Sequence, residues 1–433
     1  MKKVSIPSDF FIRNRKTLAE KMKKGSVAIV TSNDELTRSG DQYFPFRQNA
    51  GLFYLTGLEQ EKCMLVLCPG HPDKSLREVV FTIRPNEQME TWTGHKYTAE
   101  EIRSISGVET VKWLDDFELT IRDMVLASEH IYVNLNEYGK YIPEVIYRDQ
   151  HMVSWLKENY PLHRYHRLAP LITSQRLVKS EEEIVLLQTA CDITESAFRR
   201  VLGLVRPGVT EYEVEAEMTH EFLRRGARGH AYQPIIGSGR NALVLHYVEN
   251  SGECRDGDLL LMDFGAEVAN YAADCSRTIP VNGTFTPRQR ECYEAVLRVQ
   301  EEAIGLFIPG NTIDDVNKKV WAMMEKEMIG LGLFTKEEAA SKPSGQPMYF
   351  RYLMHGVAHF IGLDVHDVGG KYTRFREGMV LTIEPGIYIK EENIGIRIED
   401  NIVVGNPPTN LMAGIPKTIE EIETLMAGQK ADR

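Results

Sequence analysis

Two stretches of this chain repeat each other closely enough to dictate an architecture. Arg255-Asp256-Gly257, the apolar run Leu259 to Met262 and Asp263-Phe264-Gly265 match Arg376-Glu377-Gly378, the run Val380 to Ile383 and Glu384-Pro385-Gly386. The offset is constant at 121 positions (376 − 255 and 384 − 263). Arg206-Pro207-Gly208-Val209-Thr210 and Ile308-Pro309-Gly310-Asn311-Thr312 echo each other 102 positions apart (312 − 210), each opening an acidic helical stretch. Leu245-His246-Tyr247 parallels Ala358-His359-Phe360 at an offset of 113 (359 − 246). Solenoid periods run to about 20–50 residues, so a period near a hundred predicts two duplicated halves facing one another. Each apolar run reads as a buried strand. Equivalent strands then end in an acid, and a pseudo-twofold axis gathers those acids in one cleft.

The acids come in pairs. Ten residues separate Asp263 from Asp274, enough for a strand, a turn near Val268 to Asn270 and a return strand. Fourteen separate Glu384 from Glu399, and His359 lies in His355-Gly356-Val357-Ala358-His359. Four ionised carboxylates in one cleft repel each other unless cations neutralise them. Two divalent ions do this, and they activate a shared water near neutral pH. Oxygen ligands with one imidazole suit manganese, iron, cobalt or zinc better than a thiolate site would. Taken singly, an Asp at a strand end is usually a turn residue, His355 and His366 read as core histidines, and Arg397 pairs with a neighbouring acid. The symmetric placement of the acids favours the metal site. There is no G-x-S-x-G, H-E-x-x-H or G-x-x-x-x-G-K-[ST] run, and Gly237-Ser238-Gly239 lacks the third glycine of a nucleotide loop.

The chain is long enough for two domains: 433 residues, 42% hydrophobic and 26% charged. Residues 1–172 read as an N-terminal α/β domain. A helix is expected from Asp9 to Lys24, with strands at Ser26–Val30, Cys63–Cys68, Val79–Ile83 and His130–Val133. A boundary falls near Pro170 to Lys179. Ser180-x-x-Glu183 then caps a helix reaching about Val201, opening a second domain over 173–433. The net charge of −11 argues against nucleic acid as a partner. No run of eighteen apolar residues indicates a membrane span, and no apolar segment follows Met1-Lys2-Lys3. The six cysteines form no C-x-x-C pair, and free thiols in the cytoplasm are the expectation.

The stretch Met354 to Asp367, MHGVAHFIGLDVHD, closely resembles the histidine motif of aminopeptidase P, the Xaa-Pro aminopeptidases. Leu381 to Tyr388, Gly395 to Asp400, Met262 to Gly265 and Ala273-Asp274 resemble that family's other blocks. Tyr43-Phe44-Pro45-Phe46-Arg47-Gln48-Asn49 is similar to its auxiliary domain, so the resemblance covers most of the chain. It implies an α/β auxiliary domain followed by an α+β, duplicated pita-bread catalytic domain. It implies two divalent ions per subunit, most often Mn2+, with Zn2+, Co2+ and Fe2+ as alternatives. Asp263 would bind one ion, Asp274 and Glu399 would bridge both, and His359 and Glu384 would complete the coordination of the second ion. A hydroxide held between them would attack the carbonyl preceding proline, with Glu384 as proton shuttle. His246 and His366 would bind substrate and steady the tetrahedral intermediate. His355 would line the proline pocket, with Tyr388 also contacting substrate, and Arg397 would orient substrate or support the ligands. The resemblance further implies a homodimer or homotetramer, with Trp92 similar to an aromatic that narrows a neighbouring site. Prolidase, acting on Xaa-Pro dipeptides, is the nearest alternative. A metal-free creatinase-like relative or a binding protein fits less well, because all five ligand positions carry competent side chains.

Overall fold

The computed structural model describes residues 6–139, 144–341 and 345–431. The chain divides into two compact units, one ending at Arg176 and the other beginning at Leu177.

The first unit is built on one mixed sheet of β1 (Ser26–Thr31), β2 (Met64–Leu67), β3 (Glu78–Thr82), β4 (Thr110–Trp113), β5 (His130–Val133) and β6 (Arg164–Arg167). Their order is β4-β3-β2-β1-β5-β6. β1 runs antiparallel to β2 and parallel to β5. Every residue of β1 and β2 is buried, which is why both read as unbroken apolar runs rather than alternating ones. Val27, Ile29, Val66, Phe81, Ile121 and Ile131 form the centre of this core. Helix α1 (Ser8–Lys21) buries Phe10, Phe11 and Leu18. It stops three residues before the expected Lys24, because the backbone already turns extended at Met22; Gly25 follows at φ +67° and leads into β1. Its Arg15 is almost wholly buried and donates to Glu78 and to the carbonyls of Leu55 and Ser106 at 2.8–2.9 Å.

The second unit opens with α2 (Glu181–Leu204), whose Ser180 and Glu183 form the expected capping box. α3 (Glu211–Arg224) packs against it. β7 (Ile235–Ser238), β8 (Leu259–Phe264) and β9 (Cys275–Pro280) form an antiparallel sheet in the order β9-β8-β7. Between β8 and β9, Glu267–Val268 pairs with Tyr271–Ala272. Ala269 and Asn270 make the turn there, both at positive φ.

The second half repeats the plan. α4 (Pro287–Ile304) and α5 (Ile313–Gly330) precede β10 (Val380–Ile383), β11 (Gly386–Ile389), β12 (Ile394–Arg397), β13 (Asp400–Val403) and β14 (Thr409–Asn410). β10-β13-β14 is antiparallel, and β11 and β12 form a hairpin. α3 and α5 each follow a Pro-Gly and a capping Thr, Thr210 and Thr312. The terminal helix α6 (Ile419–Ala431) packs against α2. Among the described residues no helix is long and apolar enough to cross a membrane.

Candidate metal centre

The duplicated strands deliver the acids. Asp263 is the penultimate residue of β8 and lies opposite Ser276 on β9. Asp274 immediately precedes β9. In the second half Glu384 follows β10 and Glu399 precedes β13, next to the Ile383–Asp400 pair. The glycines of the repeat make this approach possible. A Cβ on Gly265 would stand 1.8 Å from the Ala273 carbonyl oxygen, and one on Gly386 2.8 Å from that of Ile396. Backbones this close admit only glycine. His359 comes from the chain beside β10, where it exchanges hydrogen bonds with Thr382: its carbonyl accepts from the Thr382 amide at 2.9 Å, and its amide donates to Oγ1 at 3.1 Å.

Asp274, His359 and Glu399 each present a ligand atom, all within 4.8 Å of one another. His359 Nε2 is 3.3 Å from Asp274 Oδ2 and 3.8 Å from Glu384 Oε1. Its Nδ1 lies 3.0 Å from the Phe360 carbonyl. That oxygen can only accept, so Nδ1 carries the proton and Nε2 is the nitrogen turned to the acids, the tautomer a metal-binding imidazole needs. The Tyr232 hydroxyl sits between Asp263 Oδ1 at 2.5 Å and Asp274 Oδ1 at 2.6 Å. Arg397 Nη2 donates to Asp263 Oδ2 at 2.7 Å, and its Nε donates to Ser276 Oγ at 2.8 Å. Ser276 Oγ in turn donates to Glu399 Oε2 at 2.7 Å. Arg277, fully buried, donates to the Glu399 carbonyl at 2.7 Å and to Asp400 Oδ1 at 2.7 Å, fixing the strand that carries Glu399.

Burial and repulsion from neighbouring acids hold Asp274, Glu384 and Glu399 towards their neutral forms. Glu399 is raised well above the ordinary carboxylate range by burial and by the charges of Asp274 and Glu384. Asp274 is raised by burial and by Asp263. Glu384 is pushed up to about 7, chiefly by burial. Burial opposes a charge on His359, yet its hydrogen bond to Asp274 and the charge of that residue push it up to about 9. Four carboxylates thus face one imidazole and one guanidinium. This donor set fits divalent cations, which remove the repulsion without requiring protons.

Of the remaining residues singled out in the sequence, His355, Tyr388, His366 and His246 lie around this cluster. His355 is half-buried and depressed to about 4, first by burial and then by Arg397. Its Nδ1 donates to the Gly356 carbonyl at 2.7 Å, so Nε2 accepts from the Tyr388 hydroxyl at 3.0 Å. Arg397 Nη1 donates to that hydroxyl at 2.8 Å. The His366 ring stands edge-on to His359 at 4.4 Å between centroids, and is exposed. His246 is exposed and close enough to His355 to disfavour its protonation, after burial and Arg397. Trp92 is 82% exposed on the short helix Glu87–Thr93 of the first unit. Reading the sequence missed Tyr232 and Ser276. Ser276 had a signal: it lies two residues from Asp274 along an extended strand, hence on the same face.

Known proteins resemble this chain over nearly its whole length. The model of metallopeptidase family M24 matches residues 185–406, and that of the aminopeptidase P N-terminal domain matches residues 11–132. The Xaa-Pro aminopeptidase of Escherichia coli K12 is 36% identical, over 97% of this chain and 98% of its own. The structure of aminopeptidase P from E. coli with the inhibitor Pro-Leu superposes with a TM-score of 0.89 at 34% identity, covering 99% of this chain and all of that one. That of Pseudomonas aeruginosa aminopeptidase PepP gives 0.90 at 31% identity with the same coverage. The fold is therefore the duplicated pita-bread unit with an N-terminal α/β domain, and the chain belongs to metallopeptidase family M24, among the Xaa-Pro aminopeptidases.

Proposed function

We propose that the chain releases the N-terminal residue from peptides with proline in second position, using two divalent ions, manganese before zinc, cobalt or iron, held by Asp263, Asp274, His359, Glu384 and Glu399. The observation that carries this reading is the convergence of Asp274, His359 and Glu399 within 4.8 Å, with the other two acids beside them. When bound, the ions supply the charge that neutralises the carboxylates and the Lewis acidity that makes a water nucleophilic near neutral pH.

The chain's own groups divide the remaining work. Glu384 is the most exposed of the four carboxylates, at 19% of its side chain against 15%, 6% and 1% for Asp263, Asp274 and Glu399. It takes the proton of the attacking water and returns it to the proline nitrogen as the carbon–nitrogen bond breaks. His246 and His366, both at the surface of the cluster, donate to the substrate carbonyl as negative charge develops there. His355 is neutral at pH 7 and presents an apolar ring edge to the proline. Arg397 holds Asp263 and the Tyr388 hydroxyl in place. The exposed Trp92 is open to a homodimer or homotetramer contact, the kind of surface where tryptophan is enriched.

Hydrolysis of Xaa-Pro-Yaa tripeptides beside Xaa-Pro dipeptides, with manganese and with chelator, tests the reading. Release of the first residue from the tripeptide, lost with chelator, is expected. Cleavage of dipeptides alone would make the chain a prolidase. No cleavage of either would leave a binding protein.

A further inference from the structure

Between the end of β7 and Gly252 the chain is irregular apart from a short 3-10 turn, Gly239–Leu243, yet this segment carries His246. Such a segment has little apolar packing of its own to fix it. Its organisation comes from one carboxylate. Glu211, in the first turn of α3, has no exposed surface. Its Oε1 accepts from the Ser238 amide at 2.7 Å and from Asn241 Nδ2 at 2.9 Å. Its Oε2 accepts from the Tyr247 hydroxyl at 2.8 Å and from the Gly252 amide at 2.6 Å. Its own amide donates to the Gly252 carbonyl at 2.9 Å. Both ends of the segment, and the residue next to His246, are thus tied to a single side chain.

One turn further along α3, on the same face, Glu215 accepts from Asn250 Nδ2 at 2.8 Å. Asn250 is buried at φ +47° and also binds the Ile236 amide and the Pro234 carbonyl. The other side of the segment leans on β12, where a Cβ at Gly395 would meet the Ala242 carbonyl oxygen at 2.4 Å. Four donors on a buried carboxylate are more than packing requires. Charge-assisted bonds of this kind define position more sharply than apolar contacts do.

We infer that Glu211 is a positioning residue for His246: through the Tyr247 hydroxyl and the Gly252 amide it sets where the imidazole stands relative to the substrate carbonyl. This rests on the substrate role of His246 given above. Glu211→Gln keeps the shape but replaces one acceptor oxygen by a donor facing donors. It is expected to lower kcat about tenfold or more, a fraction of the roughly 10²–10³ lost when a transition-state donor is removed outright. Manganese content should stay as in the parent protein.

The deciding measurement is a double-mutant cycle with His246→Ala. If Glu211 acts through His246, adding Glu211→Gln to His246→Ala costs little further kcat. Losses that multiply in the double variant overturn the positioning role while leaving that of His246 intact. Wild-type turnover by His246→Ala alone would instead remove the reading on which the inference rests. Should Glu211→Gln fail to fold, Tyr247→Phe deletes one of the four donors, and the same cycle applies: a smaller loss, absent on the His246→Ala background, is expected, and a multiplicative one overturns the inference.

Discussion

The hydroxyl of Tyr232 stands 2.5 Å from Oδ1 of Asp263 and, on its other side, 2.6 Å from Asp274. One phenolic proton is thereby shared between two acids that repel each other, which holds the two carboxylates together. Burial and the charges of Asp263 and Asp274 raise the phenol well above its usual range, so it stays a donor at any working pH.

Tyr232→Phe should therefore loosen the site without removing a ligand. Groups that orient metal ligands typically contribute about 10–100-fold in affinity or activity. Manganese affinity measured by titration calorimetry should fall about tenfold or more, and activity should recover in excess manganese. Unchanged affinity would show that the strands alone hold the two carboxylates in register.

A second expectation concerns a buried ion pair. Lys179 Nζ lies 2.7 Å from Asp367 Oδ2, with both side chains 1% exposed. It ties the loop carrying His366 to the start of the second unit, and within that loop the Asp367 amide donates to the Phe360 carbonyl at 2.8 Å. Lys179→Met takes the cation from beside a buried carboxylate, and removing one partner of such a pair costs about 3–5 kcal/mol. Urea unfolding followed through the second unit should show a loss of that size. A change below about 1 kcal/mol would mean that water or other groups solvate Asp367 readily.

The ligand cluster also predicts a pH dependence. In the folded, metal-free protein Glu384 is pushed up to about 7 by burial and His359 to about 9 by Asp274 against burial, from ordinary values of 4.5 and 6.5. Between these limits the folded state holds more protons on these groups than the unfolded chain does. Their contribution to stability is therefore fully present below about 4.5 and falls as pH rises towards about 9. Cations bind the deprotonated ligands, so metal stabilises more as pH rises. The difference in Tm between manganese-loaded and stripped protein should widen from about pH 5.5 to about pH 8.5. A constant gap would place the titrating groups outside the metal site.

The repeat made the symmetric acids legible, because an apolar run ending in an acid is a local pattern and the duplication marks it twice. Gly265 and Gly386 were visible as part of that pattern, though their reason, carbonyls pressed against the Cα, appears only when two strands meet. Tyr232 could not be read: it lies in an irregular stretch before β7, and its partners are 31 and 42 positions away. Glu211 misleads in the sequence. It sits among the acids of α3 and looks like part of a solvated helix start, whereas the fold-back of 238–252 buries it completely. The extent of α1 was overread for a simpler reason: the lysines before Gly25 continue a helical pattern, whereas the backbone already turns extended at Met22.

Glu399 and His366 separate metal binding from substrate binding most cleanly. Glu399 is 1% exposed, and its Oε2 accepts from Ser276, so its carboxylate is fixed inside the cluster. Glu399→Ala removes one of the three groups that converge within 4.8 Å, and leaves Arg397 and Ser276 facing a cavity. The variant should lose metal on dialysis and show no turnover, a loss that added manganese restores poorly. His366 contributes no atom to that convergence: its exposed ring stands edge-on against His359. His366→Ala should keep metal content near that of the parent, as measured by elemental analysis, while kcat falls about 10²-fold, the scale for one lost transition-state donor. Loss of metal from His366→Ala would move that histidine into the ligand shell, and a Glu399→Ala protein that keeps both metal and turnover would end the dinuclear reading.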